Sequence, residues 1–218
     1  KDKRDSKALE SFLMDSEPVL RLTAFEAMAS IQDTLAVASL LNGLQDRDSK
    51  VRLAAAYAIG QTARILSSPD PKISVRIINA VSKESDPAVV SELLKSLGKS
   101  ADDTGLKFLS SYSTVDPDVM EGIAWGIYRA GLDGKSNSGL TRRAKMILEG
   151  KYSMSARLAA AQFFARTEDL DFDMHSNLFL DIAKNEKYPE IRMAAVSSLG
   201  KLSADEVQST LRSIMKRD

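Results

Sequence analysis

Catalysis and ligand binding need particular residue types at particular spacings, and this sequence offers few. Ser96-Leu97-Gly98-Lys99 and Ser198-Leu199-Gly200-Lys201 both show the S-x-x-K spacing of serine acyl-enzymes, where a lysine can activate the nucleophile. Both fall at the same place in a repeated pattern whose second copy reads Ala58-Ile59-Gly60-Gln61, so helix packing and C-capping account for them. His175 is the sole histidine. One histidine cannot build a His-rich metal site, and Asp171 and Asp173 beside it suit a helix N-terminus, where negative charge is stabilised. The absence of cysteine excludes disulfides, thiolate metal sites and a cysteine nucleophile together. No phosphate-cradling glycine loop occurs, and Gly131-Leu132-Asp133-Gly134 reads as a turn after a helix. No catalytic residue, cofactor site or metal site is therefore expected.

The elements that carry these residues form a packed core, since 44% of the 218 residues are hydrophobic. Thirty Lys+Arg balance thirty Asp+Glu. The densest basic cluster, Arg142, Arg143 and Lys145, is too small to make a cationic groove, so no nucleic-acid partner is expected. No apolar run approaches the roughly 20 residues of a membrane span.

Self-similarity is the dominant feature. Glu17-Pro18-Val19-Leu20-Arg21 lies over Asp48-Ser49-Lys50-Val51-Arg52, and four more copies run through Asp86-Pro87, Asp116-Pro117, Ser153-Met154 and Tyr188-Pro189. The anchor column reads Arg21, Arg52, Val90, Met120, Arg157, Arg192, at spacings of 30 to 38 residues. Each copy starts as a helix should, with a polar N-cap and, in four copies, proline at the first helical position, where a missing N–H costs nothing. Glycines at equivalent places, Gly60, Gly98 and Gly200, read as helix ends. Amphipathic stretches lie between these helices, at residues 6–14, 34–44, 71–82, 104–111, 140–148, 177–183 and 205–215. The pattern predicts an all-α chain with an α-α superhelix, six helical pairs and one terminal helix, organised as a single solenoid over residues 1–218. That last helix keeps an apolar face, and with a sequence that starts at Lys1 this reads as a piece of a longer polypeptide.

Stacking the copies assigns an environment to each column. Ala24, Ala55, Leu93, Ile123, Ala160 and Ala195 form one core column, and Met28, Ile59, Leu97, Ile127, Phe164 and Leu199 another. The columns through Tyr57 (Glu26, Tyr57, Lys95, Trp125, Gln162, Ser197) and Gln61 (Ser30, Gln61, Lys99, Arg129, Arg166, Lys201) are predicted to face solvent. Tyr57 and Trp125 are aromatic exceptions in a polar column, and aromatic residues and Arg are over-represented at binding hot spots. Tyr57, Gln61, Lys95, Lys99, Trp125, Arg129, Gln162 and Arg166 are accordingly the candidate partner-binding residues. Helix spacing puts Tyr57 and Trp125 on the order of 20 Å apart. The competing reading is that Trp125 fills room left by Gly122 and Gly126.

With these columns the chain resembles the HEAT-like repeat family, whose paired antiparallel helices stack into a curved superhelix with the second helices lining the concave face. The resemblance implies an Asp/Arg ladder between neighbouring repeats, carried here by Asp15 and Arg21, Asp46 and Arg52, Arg157, and Glu186 and Arg192. It breaks where Glu84 precedes Val90, Thr114 precedes Met120 and Lys151 precedes Arg157. The His-Glu pairs of HEAT-like iron hydroxylases are missing. More specifically, Ser30-Ile31-Gln32-Asp33-Thr34-Leu35-Ala36, residues 51–62 and Ala124-Trp125-Gly126-Ile127-Tyr128-Arg129 resemble the repeat region of bacterial proteins that join HEAT repeats to a cyclophilin-type peptidyl-prolyl isomerase. That resemblance implies a non-enzymatic module binding protein or peptide, with an adjoining isomerase domain as one possible partner, in a parent enzyme of the bacterial cell envelope. A cytoplasmic location and the oligomeric state stay open. So do two other functions found on this fold, a phycobilin lyase subunit and a DNA-binding glycosylase module.

Overall fold

The computed structural model describes residues 6–100, 102–168, 170, 175–202 and 212. Within them lie twelve α-helices and no strand: α1 (Lys7–Glu10), α2 (Pro18–Ile31), α3 (Val37–Asn42), α4 (Ser49–Ala63), α5 (Pro71–Val81), α6 (Pro87–Ser100), α7 (Asp103–Ser111), α8 (Pro117–Leu132), α9 (Ser138–Glu149), α10 (Met154–Arg166), α11 (Ser176–Asn185) and α12 (Pro189–Leu199). Short 3₁₀ turns extend α1 and flank α3. These are the six expected pairs. The helix expected at 205–215 lies outside the described residues, as do Asp171 and Asp173.

Local chemistry explains the boundaries. Pro18, Pro71, Pro87, Pro117 and Pro189 each open a helix. Asp48 caps α4 by accepting from the N–H groups of Lys50 and Val51, Asp116 caps α8 through Asp118 and Val119, and Ser153 caps α10 through Ala156. Glu17 and Tyr188 stand at the cap positions of α2 and α12 without a side-chain bond, so the cap signal is not uniform.

The even-numbered helices touch in an unbroken series from α2 to α12, and the odd-numbered helices pack behind them, with α7 between α5 and α9. Every residue of the two core columns is buried. The expectation that Gly60 and Gly98 end helices is corrected: α4 runs on to Ala63 and α6 to Ser100. These glycines serve close approach. A Cβ on Gly98 would collide with the Gly126 carbonyl, one on Gly126 would come 2.5 Å from the Leu94 carbonyl oxygen, and one on Gly122 would come 2.6 Å from Ser91 Cα. The room left by Gly122 and Gly126 is thus taken by the α6 backbone rather than by Trp125.

The ladder runs along the N-terminal ends of the even helices, with a different pairing from the one the sequence suggested. Arg21 donates from Nε and Nη2 to both carboxylate oxygens of Asp46, at 2.6 and 2.8 Å, and from Nη1 to the carbonyls of Asp15 and Ser16. Arg52 does the same to Glu84 at 2.6 and 2.9 Å and to the carbonyls of Asp46 and Arg47. Arg157 pairs with Glu186, and Arg192 Nη1 donates to the Glu186 carbonyl. Arg21 and Arg52 therefore each take the backbone of the loop before their own helix and the carboxylate of the next loop. Arg157 takes the Leu148 carbonyl at the end of α9 and the next loop's Glu186, and Arg192 takes the loop carbonyls of Glu186 and Lys187. Glu84, read as a break, is a full member, because what it must match is Arg52 behind it rather than Val90 ahead. Asp15, without an arginine before it among the described residues, accepts instead from the Glu17 N–H. Where Met120 replaces the arginine, Arg143 of α9 reaches in and donates to the Tyr112 carbonyl at 2.9 Å. That accounts for one member of the basic cluster.

The hydrogen bond from Arg52 holds Glu84 below the ordinary glutamate pKa. Burial works to raise Asp46 and Glu186, but bonds from Arg21 and Arg157 and from the N–H groups of Asp48 and Tyr188 outweigh it, so both are also lowered. The unfolded chain binds these protons more tightly. The stabilisation is complete above about pH 5 and is lost as pH falls below about 4. Thermal melts between pH 7 and pH 3 should show this loss, and Glu84→Gln should lower Tm at pH 7 while flattening the acid limb. Arg52→Ala, which strands a partly buried carboxylate, should cost about 3 kcal/mol in denaturant melts. Gly98→Ala should destabilise by about 2 kcal/mol or more through overpacking, a cost unrelated to pH.

Candidate functional site

The close stacking of α4, α6 and α8 decides what their outward face can present. At both ends of the stack the predicted polar face is open: Glu26, Ser30, Arg166 and Ser197 are exposed. In the middle it closes into a pocket of about 330 Å³ lined by Tyr57 and Gln61 from α4, Glu92, Lys95 and Lys99 from α6, and Trp125 and Arg129 from α8. Six of the eight candidate residues thus meet in one cavity, with the Tyr57 and Trp125 rings both on its wall. Gln162 and Arg166 lie on α10, outside it.

Lys99 departs from its predicted environment. It is 7% exposed rather than solvent-facing, and its Nζ lies 5.0 Å from the centroid of the Tyr57 ring. The cause is the glycine-mediated approach of α6 to α8, which encloses a column that stays open elsewhere. Tyr57 itself remains 43% exposed. Burial pulls the Lys99 pKa below the ordinary lysine value; Glu92 opposes this, and Arg129, Lys95 and Arg64 add to it. Glu92, which no sequence motif singles out, pairs with Lys95 at 3.6 Å, and its only sequence signal is its position one turn before that lysine. Arg129 lies over the Tyr128 ring at 5.6 Å. Trp125 donates its indole N–H to Ser155 Oγ at 3.0 Å and meets Tyr128 edge to face, which fixes the ring against α10. Ser155 likewise carries no sequence signal of this role.

Neither S-x-x-K pair is a nucleophile. The Ser96 hydroxyl is buried and donates to the Ala56 carbonyl at 2.7 Å, tying α6 to α4, and Ser198 donates to the Ala194 carbonyl one turn back. His175 packs against Phe164 and Phe179. Among the described residues no group of three or more metal-ligating side chains comes together, and no helix is long and apolar enough to cross a membrane. A larger depression of about 830 Å³ opens beside the first ladder rung, but its main charges, Arg21 and Asp46, already satisfy each other.

Residues 6–72 match the sequence profile of HEAT repeats. The fold is that of a HEAT-like repeat solenoid. Over the full length of the chain and 96% of its counterpart, it resembles a structure of the complex of CpcE and CpcF of phycocyanin lyase from Nostoc sp., with a TM-score of 0.61 at 15% identity. An archaeal HEAT-like repeats protein from Thermococcus onnurineus matches over 98% of this chain and 89% of that one, with a TM-score of 0.59 at 15% identity. A designed armadillo repeat protein matches over 91% of this chain and all of its own, with a TM-score of 0.54 at 14% identity. No curated protein matches in sequence. At these identities the likeness is one of fold.

The largely buried Lys99 side chain costs stability, because burial and the neighbouring cations disfavour its charged form. Lys99→Met should raise Tm at pH 7. The unfolded lysine holds its proton to a higher pH than the folded one, so the gain should shrink as melts are repeated toward pH 10. A lower Tm for the variant at pH 7 would contradict this account of the site.

Proposed function

We propose that this chain is a non-enzymatic scaffold that binds a protein or peptide segment along the concave face of its even-numbered helices, with the pocket between α4, α6 and α8 as the anchor. The observation that carries this reading is the pocket's composition. Two aromatic rings and several cations from three successive repeats surround a cavity the size of one or two side chains, on a surface where the neighbouring repeats show only scattered polar residues. Extended segments suit stacked repeats, which offer many small contacts in a row. The segments around residues 30–36, 51–62 and 124–129 support the finer reading that the solenoid is the client-positioning part of a longer peptidyl-prolyl isomerase.

Panning a random peptide library on the protein tests the first part. Enriched peptides should bind Tyr57→Ala and Trp125→Ala variants at least about tenfold more weakly, with Lys107→Glu on the opposite face of the stack, in α7, as an unaffected control. Equal binding by both aromatic variants would refute the concave anchor. The isomerase reading expects the native polypeptide, detected by an antibody to these repeats, to exceed 23.8 kDa by a whole domain and to show prolyl-isomerase activity.

The end-to-end match to the phycocyanin lyase structure favours a second reading, a bilin lyase subunit. Mixing the protein with phycocyanobilin should then shift the pigment's absorption spectrum. An unchanged spectrum speaks for the scaffold.

A further inference from the structure

We propose that the pocket between α4, α6 and α8 is a carboxylate subsite, in which Lys99 and Arg129 hold the acid group of a bound peptide between the Tyr57 and Trp125 rings. This rests on the peptide-binding reading and specifies the partner's chemistry.

The contrast between two buried cations carries the argument. Arg21 and Lys99 are the buried cationic side chains among the described residues. Arg21 meets two carboxylate oxygens and two carbonyls. Lys99 meets an aromatic face and no carboxylate within ion-pair distance, although it is more than nine-tenths buried and lines a cavity. An ammonium carries three donors, and a ring face satisfies none of them as an oxygen would. Glu92, the acid in the same pocket, sits against Lys95. Arg129 likewise has its guanidinium over a ring and no carboxylate partner. The pocket therefore holds two cations whose hydrogen-bonding capacity points at whatever enters.

A carboxylate fits these groups better than other anions. The planar fork of Arg129 suits bidentate contact with a carboxylate, and Lys99 adds a point charge. Glu92 on the same wall limits the negative charge the site can take, which disfavours a doubly charged phosphate. A nucleic-acid backbone would need a continuous stripe of cations; Arg166 and Lys201 extend this face on one side, but Glu26 and Ser30 end it on the other and Ser197 interrupts it. The rings of Tyr57 and Trp125 would cover the aliphatic stem next to the acid group. That group could be an aspartate or glutamate side chain or the terminal carboxylate of a peptide.

Trp125 is the only tryptophan, so intrinsic fluorescence reports on the pocket directly. The protein is titrated with three N-acetylated peptides: Gly-Ser-Leu-Glu-Leu-Ser-Gly amide, the same peptide with Gln for Glu, and Gly-Ser-Leu-Leu with a free C-terminal carboxylate. At least one carboxylate peptide should perturb the emission at a concentration at least about tenfold lower than the Gln peptide, and which one does so identifies the source of the acid group. Lys99→Met and Arg129→Gln should each abolish that preference while melting within a few degrees of the parent, and Lys99→Arg should keep it. Equal binding of the Gln and acidic peptides overturns the carboxylate subsite while leaving peptide binding in place. A preference that survives both Lys99→Met and Arg129→Gln also overturns it. Failure of all three peptides to move the emission overturns it as well, and the library panning then decides the fate of the broader reading on its own.

Discussion

The backbones of α6 and α8 touch, and most of what is particular to this molecule follows from that contact. Gly98, Gly122 and Gly126 have no Cβ to hold the helices apart, and each is faced by backbone of the other helix. The same device on a smaller scale places Gly60 against Ser96, whose hydroxyl then reaches the Ala56 carbonyl. Close stacking of the even-numbered layer draws three repeats together at their outward face. Side chains that would stand in water on a looser stack become walls and floor of a pocket.

A second constraint works at the N-terminal ends of the even-numbered helices. The arginine ladder stitches successive loops by pairing the guanidiniums of Arg21, Arg52 and Arg157 with a preceding backbone carbonyl and the next loop's carboxylate. It fixes the order and spacing of repeats at the edge while glycine contacts fix the middle. Two of the six repeats lack the arginine, and these are the ones whose second helices, α6 and α8, pack backbone to backbone. Val90 and Met120 stand where the other repeats carry arginine, and Arg143 from the layer behind supplies a carbonyl contact at the latter. Tight helix packing and ionic stitching are thus alternative ways of holding adjacent repeats in register. The central repeats rely on the first, and the flanking ones on the second.

Much of this was legible in the residues. A repeat exposes each column six times, so the apolar character of the Ala55 and Ile59 columns and the helix starts at proline were readable without coordinates. The convergence of Tyr57, Lys95 and Trp125 on one face followed from the same alignment. Distances between repeats were not readable. Whether a glycine ends a helix or admits a neighbouring backbone depends on what lies opposite, and Gly60 and Gly98 look like Gly200 in sequence. Lys99 looks like Lys201 for the same reason, yet one is enclosed above Tyr57 and the other bonds carbonyls of Phe164 and Thr167. The ladder misled in a related way, because a carboxylate's partner lies about 30 residues behind it, beyond the local window in which Asp15 and Arg21 seem to pair.

The central claim is that tight stacking of α4, α6 and α8 creates the surface on which a partner segment docks. Hydrogen–deuterium exchange of the protein, alone and saturated with a peptide selected against it, measures this most directly. The account predicts added protection in peptic fragments covering residues 57–63, 92–100 and 125–132, with the helices α5, α7 and α9 unchanged. Protection confined to those three outer helices, or to the loops of the arginine ladder, would contradict it.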